Sequence, residues 1–204
     1  MVNSHIVLLG YMGCGKTTIS NKLEAILNLP KFDLDQIIEK EYKMSISEIF
    51  NKKGQIEFRR IERIFLKKLL NNKDKSIISL GGGTPCYHDN MEIILKYSKN
   101  VFFINTSPEL LSERLFKQRS KRPIIESINS IIKLKEFISK HLFERIIFYN
   151  QANQDNIQAD QTLKMLQRIK HRRFAQSMTS ALDLFDNYSI TTKAMETYKY
   201  QLKK

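Results

Sequence analysis

The sequence predicts an α/β fold: a parallel sheet covered by helices on both faces, three layers in all. Three observations carry that expectation. Short apolar runs alternate with segments of helical periodicity, the order a parallel sheet needs because each crossover is a helix. The first apolar run leads straight into a glycine-rich loop and then into a helical pattern. The 204 residues are 42% hydrophobic with only seven glycines and four prolines, enough for a packed core and unlike a linker-rich or disordered chain.

The elements follow in order. "IVLL" (Ile6–Leu9) reads as a buried strand, and Lys16 to Leu27 as a helix with Ile19, Leu23, Ile26 and Leu27 on one face. "KFDLD" is a short strand ending in acids. "SISE" (Ser45–Glu48) has capping-box spacing and opens a short helix. From Gln55 to Leu70 the apolar positions Phe58, Ile61, Phe65 and Leu69 recur at helical spacing. "SIISL" (Ser76–Leu80) runs as a strand into three glycines, and "VFFIN" (Val101–Asn105) is another strand. A helix starts at Pro108, where proline suits the first turn. "KQRSKRP" breaks the pattern as an exposed loop. A long helix runs from about Ile131 to Asn150, then a weak strand at Ile157–Ala159 and a last helix from about Asp160.

The N-terminus lacks the basic region and long apolar run of a secretory signal, and no stretch approaches the ~20 apolar residues of a membrane span, so a cytoplasmic protein without membrane contact is expected. Cys14 and Cys86 are too few for a metal motif, and a disulfide framework is not expected. The net charge of +13 is compatible with nucleic acid or with anionic small substrates. The basic residues are dispersed and not interleaved with aromatics, so nucleic acid is not the expected partner.

The chemistry starts at "GYMGCGKTT" (Gly10–Thr18). Gly10, Gly15, Lys16 and Thr17 have the spacing of a P-loop, with a strand before and a helix after. Such glycines let backbone N–H groups face phosphate oxygens, and the following helix aims its positive end at them. Lys16 can reach the β- and γ-phosphates, and the Thr17 hydroxyl can ligate Mg²⁺. A P-loop does not name the acceptor. The Asn-Lys-x-Asp motif of GTPases is absent, and the later strands do not end in the acid of a motor ATPase. The acids stand instead at Asp33 and Asp35. On an extended strand end both would point to one side, one for the metal's water shell and one for an acceptor hydroxyl; equally, they could be caps of a helix "QIIEK". Arg59 and Glu62 sit three apart on one helix face, and Arg145 lies on the late helix. Two arginines from distant helices suit a carboxylate, though either alone could be a surface ion pair. "SLGGGTP" would allow close backbone approach by a ligand.

Taken together, "GYMGCGKTT", "FDLDQIIE", "SISEIF…G…FRRIE", "SLGGGTP", "RSKRPII" and "HLFERIIFY" resemble the shikimate kinases in order and spacing over roughly residues 5–165. The resemblance implies a P-loop kinase fold similar to nucleoside monophosphate kinases, with five parallel strands. It implies ATP- and Mg²⁺-dependent phosphorylation of the shikimate 3-hydroxyl on the way to aromatic amino acids, by a monomer. It implies that Met12, Gly13, Cys14, Gly15, Lys16, Thr17 and Thr18 surround ATP, with Thr17 on the metal and Asp33 holding the metal through water. Asp35 would bind the shikimate hydroxyls and act as base. Arg59 and Arg145 would clamp the carboxylate, Gly82 would offer its backbone, and Arg122 would close on the phosphates from a lid at about 117–126. Lys16, Asp35 and Arg122 are thus the catalytic candidates.

The chain departs from the family pattern at Gln55, where glutamate is common, and at Ile147, where proline is common. The adenine-side loop is shortened to "IQADQT". The kinase-like domain is expected over residues 1–170. Residues 171–204, with six Lys/Arg against three acids, form a basic extension in which Phe174, Met178, Ala181, Leu182 and Phe185 could line one helix face. Other readings are another small-acceptor kinase, such as a gluconate kinase, and a non-catalytic nucleotide- or RNA-binding relative.

Overall fold

In a computed structural model, which describes residues 5–119, 122–152 and 157–158, the alternation becomes one five-stranded sheet, all parallel, in the order β2-β3-β1-β4-β5. The strands are β1 (Ile6–Leu9), β2 (Lys31–Asp33), β3 (Ile77–Ser79), β4 (Asn100–Asn105) and β5 (Ile157–Gln158). The helices are α1 (Lys16–Leu27), α2 (Leu34–Tyr42), α3 (Ile46–Leu70), α4 (Asn90–Tyr97), α5 (Pro108–Phe116), α6 (Pro123–Glu126) and α7 (Ile131–Tyr149). The last helix expected from Asp160 and the extension 171–204 lie outside the described residues.

The pleat of β1 explains the two cores. Ile6 and Leu8 face one side, where Ile77, Phe102 and Ile104 meet α1, α5 and α7 through Leu23, Leu115 and Leu134. Val7 and Leu9 face the other, where Ile78 and Phe103 meet α2, α3 and α4 through Ile38, Phe58 and Ile94. Both faces of β1 are fully buried, as a central parallel strand requires.

The expected capping box is present. Ser45 Oγ accepts from the Glu48 amide at 3.3 Å, and Glu48 Oε2 accepts from the Ser45 amide at 2.7 Å. The short helix it opens joins the next one across a kink at Gly54, whose φ of 76° and ψ of 166° are accessible in practice only to glycine. One expectation needs correction. "KFDLD" is extended only as far as Asp33, because Asp33 caps α2: its Oδ1 accepts from the amides of Asp35 at 3.1 Å and Gln36 at 3.3 Å. Glu62, three residues after Arg59 on the same helix, is buried. With Ile147 in place of proline, α7 runs unbroken from Ile131 to Tyr149.

β1, β2 and β3 end together at the carboxyl edge of the sheet, in register Leu8↔Ser79 and Asp33↔Ser79. The loops after these strands therefore share one crevice beside the point where the strand order reverses, the usual ligand position in such sheets.

Candidate active site

The loop between β1 and α1 is shaped by its glycines. Gly10, Gly13 and Gly15 have φ of 144°, 78° and 103°, values that L side chains rarely take. Gly15 is also the residue that starts α1, so the helix dipole opens onto the loop. The Lys16 ammonium donates to the carbonyls of Gly10 at 2.8 Å and Tyr11 at 3.0 Å and lies 3.6 Å from Cys14 Sγ, which folds it across the loop mouth. Thr17 and Thr18 are exposed on the first turn, Met12 is half-buried and Cys14 is buried. Arg114 from α5 supports the loop from behind, donating to Gly13 O at 3.4 Å.

Asp35 stands in the first turn of α2, not on the strand. The two acids thus divide: Asp33 is spent partly on the cap, while Asp35 faces inward. Burial pushes Asp35 up to about 7, helped by the negative charges of Asp33, Glu62 and Glu39 and opposed by Lys16. A carboxyl held there can take a proton at neutral pH.

The three glycines after β3 bring the remaining parts together. A Cβ on Gly81 would lie 2.7 Å from Asp35 Oδ1 and 3.2 Å from Glu62 Oε1. A Cβ on Gly82 would lie 3.4 Å from Gly10 O and from Met12 N, and 3.7 Å from Arg145 Nη1. A Cβ on Gly83 would lie 2.7 Å from Arg59 Nη2. One turn therefore borders the acid, both arginines and the P-loop. It is held from beneath by the buried Tyr149, whose hydroxyl donates to Gly82 O at 2.5 Å.

Buried charge fixes the arginine on α3. Glu62 Oε2 accepts from Arg59 Nη1 at 2.6 Å while its Oε1 accepts from the Thr84 hydroxyl at 2.7 Å. Arg59 Nε is buried with no hydrogen-bond partner among the described residues. Arg145 from α7 is half-buried, its guanidinium carbon 5.4 Å from the Tyr11 ring centroid. The Cys86 thiol lies beside these two arginines, yet burial pushes it up to about 11, so it stays neutral. Both cysteines are free.

Arg122 directly precedes α6, and its amide donates to Arg119 O at 2.9 Å. Ser120 and Lys121 of the expected lid lie outside the described residues, as does most of "IQADQT". Among the described residues no group of three or more His, Cys, Asp or Glu side chains could hold a metal. The donors on offer are the Thr17 hydroxyl and the Asp33 carboxylate, which suits a magnesium ion carried mainly by phosphates and water. No described helix is long and apolar enough to cross a membrane.

Sequence reasoning missed several supports: Tyr11 under Arg145, Thr84 on Glu62, Arg114 behind the loop, and Tyr87, whose ring centroid is 4.0 Å from the Arg59 guanidinium carbon. The run of three glycines carried a signal for all three positions, though only Gly82 was singled out.

Comparison with known proteins bears on this geometry. A family model described as shikimate kinase matches residues 12–183. The chain is 43% identical over 163 residues to the shikimate kinase of Flavobacterium johnsoniae, covering 78% of this chain and 94% of that relative. It is 36% identical over 172 residues to the shikimate kinase of Bacteroides thetaiotaomicron, covering 80% and 97%. A 1.7 Å crystal structure of shikimate kinase from B. thetaiotaomicron superposes with a TM-score of 0.74 at 35% identity, over 83% of this chain and 97% of that one. A shikimate kinase from Acinetobacter baumannii in complex with shikimate superposes with a TM-score of 0.74 at 26% identity, over 84% and 95%.

Proposed function

We infer how the site works from one premise: the chain belongs to the shikimate kinase family. It is an enzyme that transfers a phosphoryl group from ATP to shikimate, a reaction of aromatic amino acid biosynthesis. The residue roles are our reading. The observation that supports them is the convergence of Asp35, Arg59 and Arg145 on Gly81–Gly83, directly against the P-loop.

In this reading the backbone N–H groups from Met12 to Thr18 cradle the ATP phosphates, and the Lys16 ammonium turns from the loop carbonyls to the β- and γ-oxygens. Thr17, with Asp33 through water, holds Mg²⁺, which when bound neutralises charge on the phosphates. Arg59 and Arg145 grip the shikimate carboxylate, a pairing for which the planar, forked guanidinium is suited. Gly82 lets the substrate approach its backbone. The 3-hydroxyl then lies at Asp35. As its oxygen bonds to the γ-phosphorus, Asp35 takes the proton and the bond from that phosphorus to the ADP oxygen breaks. Arg122 closes over the phosphates, which excludes water and offsets charge on the moving group. Catalysis is then mainly positioning and charge neutralisation. A cytoplasmic monomer belongs to the same reading, and two free thiols suit a reducing compartment.

The test is ADP release from Mg-ATP with shikimate, gluconate or a nucleoside monophosphate as acceptor, for the wild type and for Arg59→Ala. Shikimate alone should stimulate the wild type. Arg59→Ala should weaken shikimate by about 1.5–3 kcal/mol, seen in its KM, and leave the KM for ATP nearly unchanged. An unaltered shikimate KM in the variant would remove Arg59 from the clamp.

A further inference from the structure

Arg59 needs more than its charge to recognise a carboxylate; its plane must be set. Two parallel N–H···O bonds require the guanidinium and the carboxylate to be close to coplanar. Hydrogen bonds do not define that plane here. Glu62 engages only Nη1, and Nε is buried without a partner among the described residues. What encloses the group is a slot. On one side is Gly83, where even a Cβ would come within 2.7 Å of Nη2 and 3.0 Å of Nη1. Over the guanidinium carbon lies the Tyr87 ring at 4.0 Å, nearer than Phe58 at 5.1 Å or Phe50 at 5.6 Å.

Tyr87 is itself held. It follows the 3₁₀ turn Thr84–Cys86 that continues the glycine run. Its hydroxyl accepts from Gln55 Nε2 at 2.7 Å. Gln55 stands just after the Gly54 kink and four residues before Arg59, so the two share a helix face one turn apart. The tyrosine thus lies across one turn of α3, its ring over Arg59 and its hydroxyl on Gln55.

We propose that Tyr87 is a positioning residue that sets the plane of the Arg59 guanidinium for the shikimate carboxylate, and that Gln55 anchors Tyr87 for that task. The inference rests on the reading of Arg59 as part of the carboxylate clamp. It gives the glutamine a role as an amide N–H donor to the phenol oxygen, a role an ionised glutamate could not fill.

Tyr87→Leu, Tyr87→Phe, Gln55→Ala and the Gln55→Ala/Tyr87→Phe double variant test the proposal beside Arg59→Ala, on the full chain. The readouts are the KM for shikimate, the KM for ATP, kcat and the melting temperature. Tyr87→Leu keeps bulk and removes the π face, so the shikimate KM should rise about five- to thirtyfold, the range of a partly desolvated cation–π contact. The ATP KM should stay within about twofold. Tyr87→Phe keeps the stack and loses the anchor, so it should recover most of that loss and stay within about threefold of wild type. Gln55→Ala should match it, and the double variant should be no worse than either single, because both remove one bond. A shikimate KM in Tyr87→Leu close to wild type would overturn the proposal. So would a parallel rise in both KM values, which reports packing, or a Tyr87→Phe variant as impaired as Tyr87→Leu, which credits the hydroxyl and not the ring face over Arg59. If Arg59→Ala raises the shikimate KM and Tyr87→Leu does not, the positioning role alone fails. If Arg59→Ala has no effect, the clamp reading fails with it.

Discussion

In the proposed reading, a single short stretch between Gly10 and Thr18 makes the donor side of the crevice. The acceptor side of that reading draws Asp35 from α2, Arg59 and Glu62 from α3, three glycines from the end of β3 and Arg145 from α7. The donor loop is precise because of backbone dihedrals: three positive-φ glycines aim the chain, and a helix start supplies the field. The acceptor pocket is precise because of buried charge, with Glu62 tying Arg59 to Thr84 and raising the proton affinity of Asp35. The contrast is between a loop whose polar side chains, Lys16, Thr17 and Thr18, lie outside the core and a pocket whose charged side chains also hold the fold together. Substitutions on the two sides should therefore fail differently.

The largest effect is expected at Asp35. If it is the base, Asp35→Asn should lower kcat by about 10²–10⁴. In the wild type, kcat/KM for shikimate should rise with pH through about 7 as Asp35 loses its proton, and that limb should vanish in the variant. Stability should move the opposite way. The folded carboxyl binds its proton more tightly than the unfolded one, whose ordinary value is 3.8, so its contribution falls as pH rises from about 4 to about 7. Asp35→Asn should thus gain about 1–3 kcal/mol over wild type at pH 8 and nothing near pH 4, read from urea unfolding at both. A variant no more stable at pH 8 would show that Asp35 is not desolvated.

Next is the donor side. Lys16→Ala should cost about 10²–10³ in kcat for want of charge on the moving phosphoryl group, while the shikimate KM and the melting temperature change little. A comparable loss of stability would erase the contrast between the two sides. Smallest in rate, and most telling, is Glu62→Gln. It keeps a hydrogen bond to Thr84 and removes the buried countercharge of Arg59, so unfolding should cost about 1–3 kcal/mol less. Because the Glu62 charge raises Asp35, the rising limb of the pH profile should also shift to lower pH. A limb that does not move would uncouple the two acids.

The same contrast governs what was legible in the sequence. Apart from the end of β2, the strands, α1, the Ser45 capping box and the proline start of α5 follow from local chemistry and appear close to where the spacing put them. The P-loop is local too. The acceptor side became readable only through several motifs taken together, since nothing in the chain near Arg59 says that Gly83 or Tyr87 will lie against it. The burial of Glu62 was not legible, because helical spacing reports a face, not what packs on it. Asp35 falls on α2 and not on the strand because Asp33, the last residue of β2, is also the N-cap of α2, the alternative the sequence left open. The α4 helix passed unnoticed because it spans only eight residues, about two turns, too short for a period to show.

Gly82 separates the two sides by the width of one residue. A Cβ on it would reach Gly10 and Met12, on the wall read as facing ATP, and Arg145, on the wall read as facing the acceptor. That makes it a spacer whose thickness is the smallest a polypeptide can have. A methyl group there would just fill the space in ordinary contact with both walls, so on the proposed reading alanine marks the upper limit of the spacer and any larger side chain would act as a shim between the two substrates.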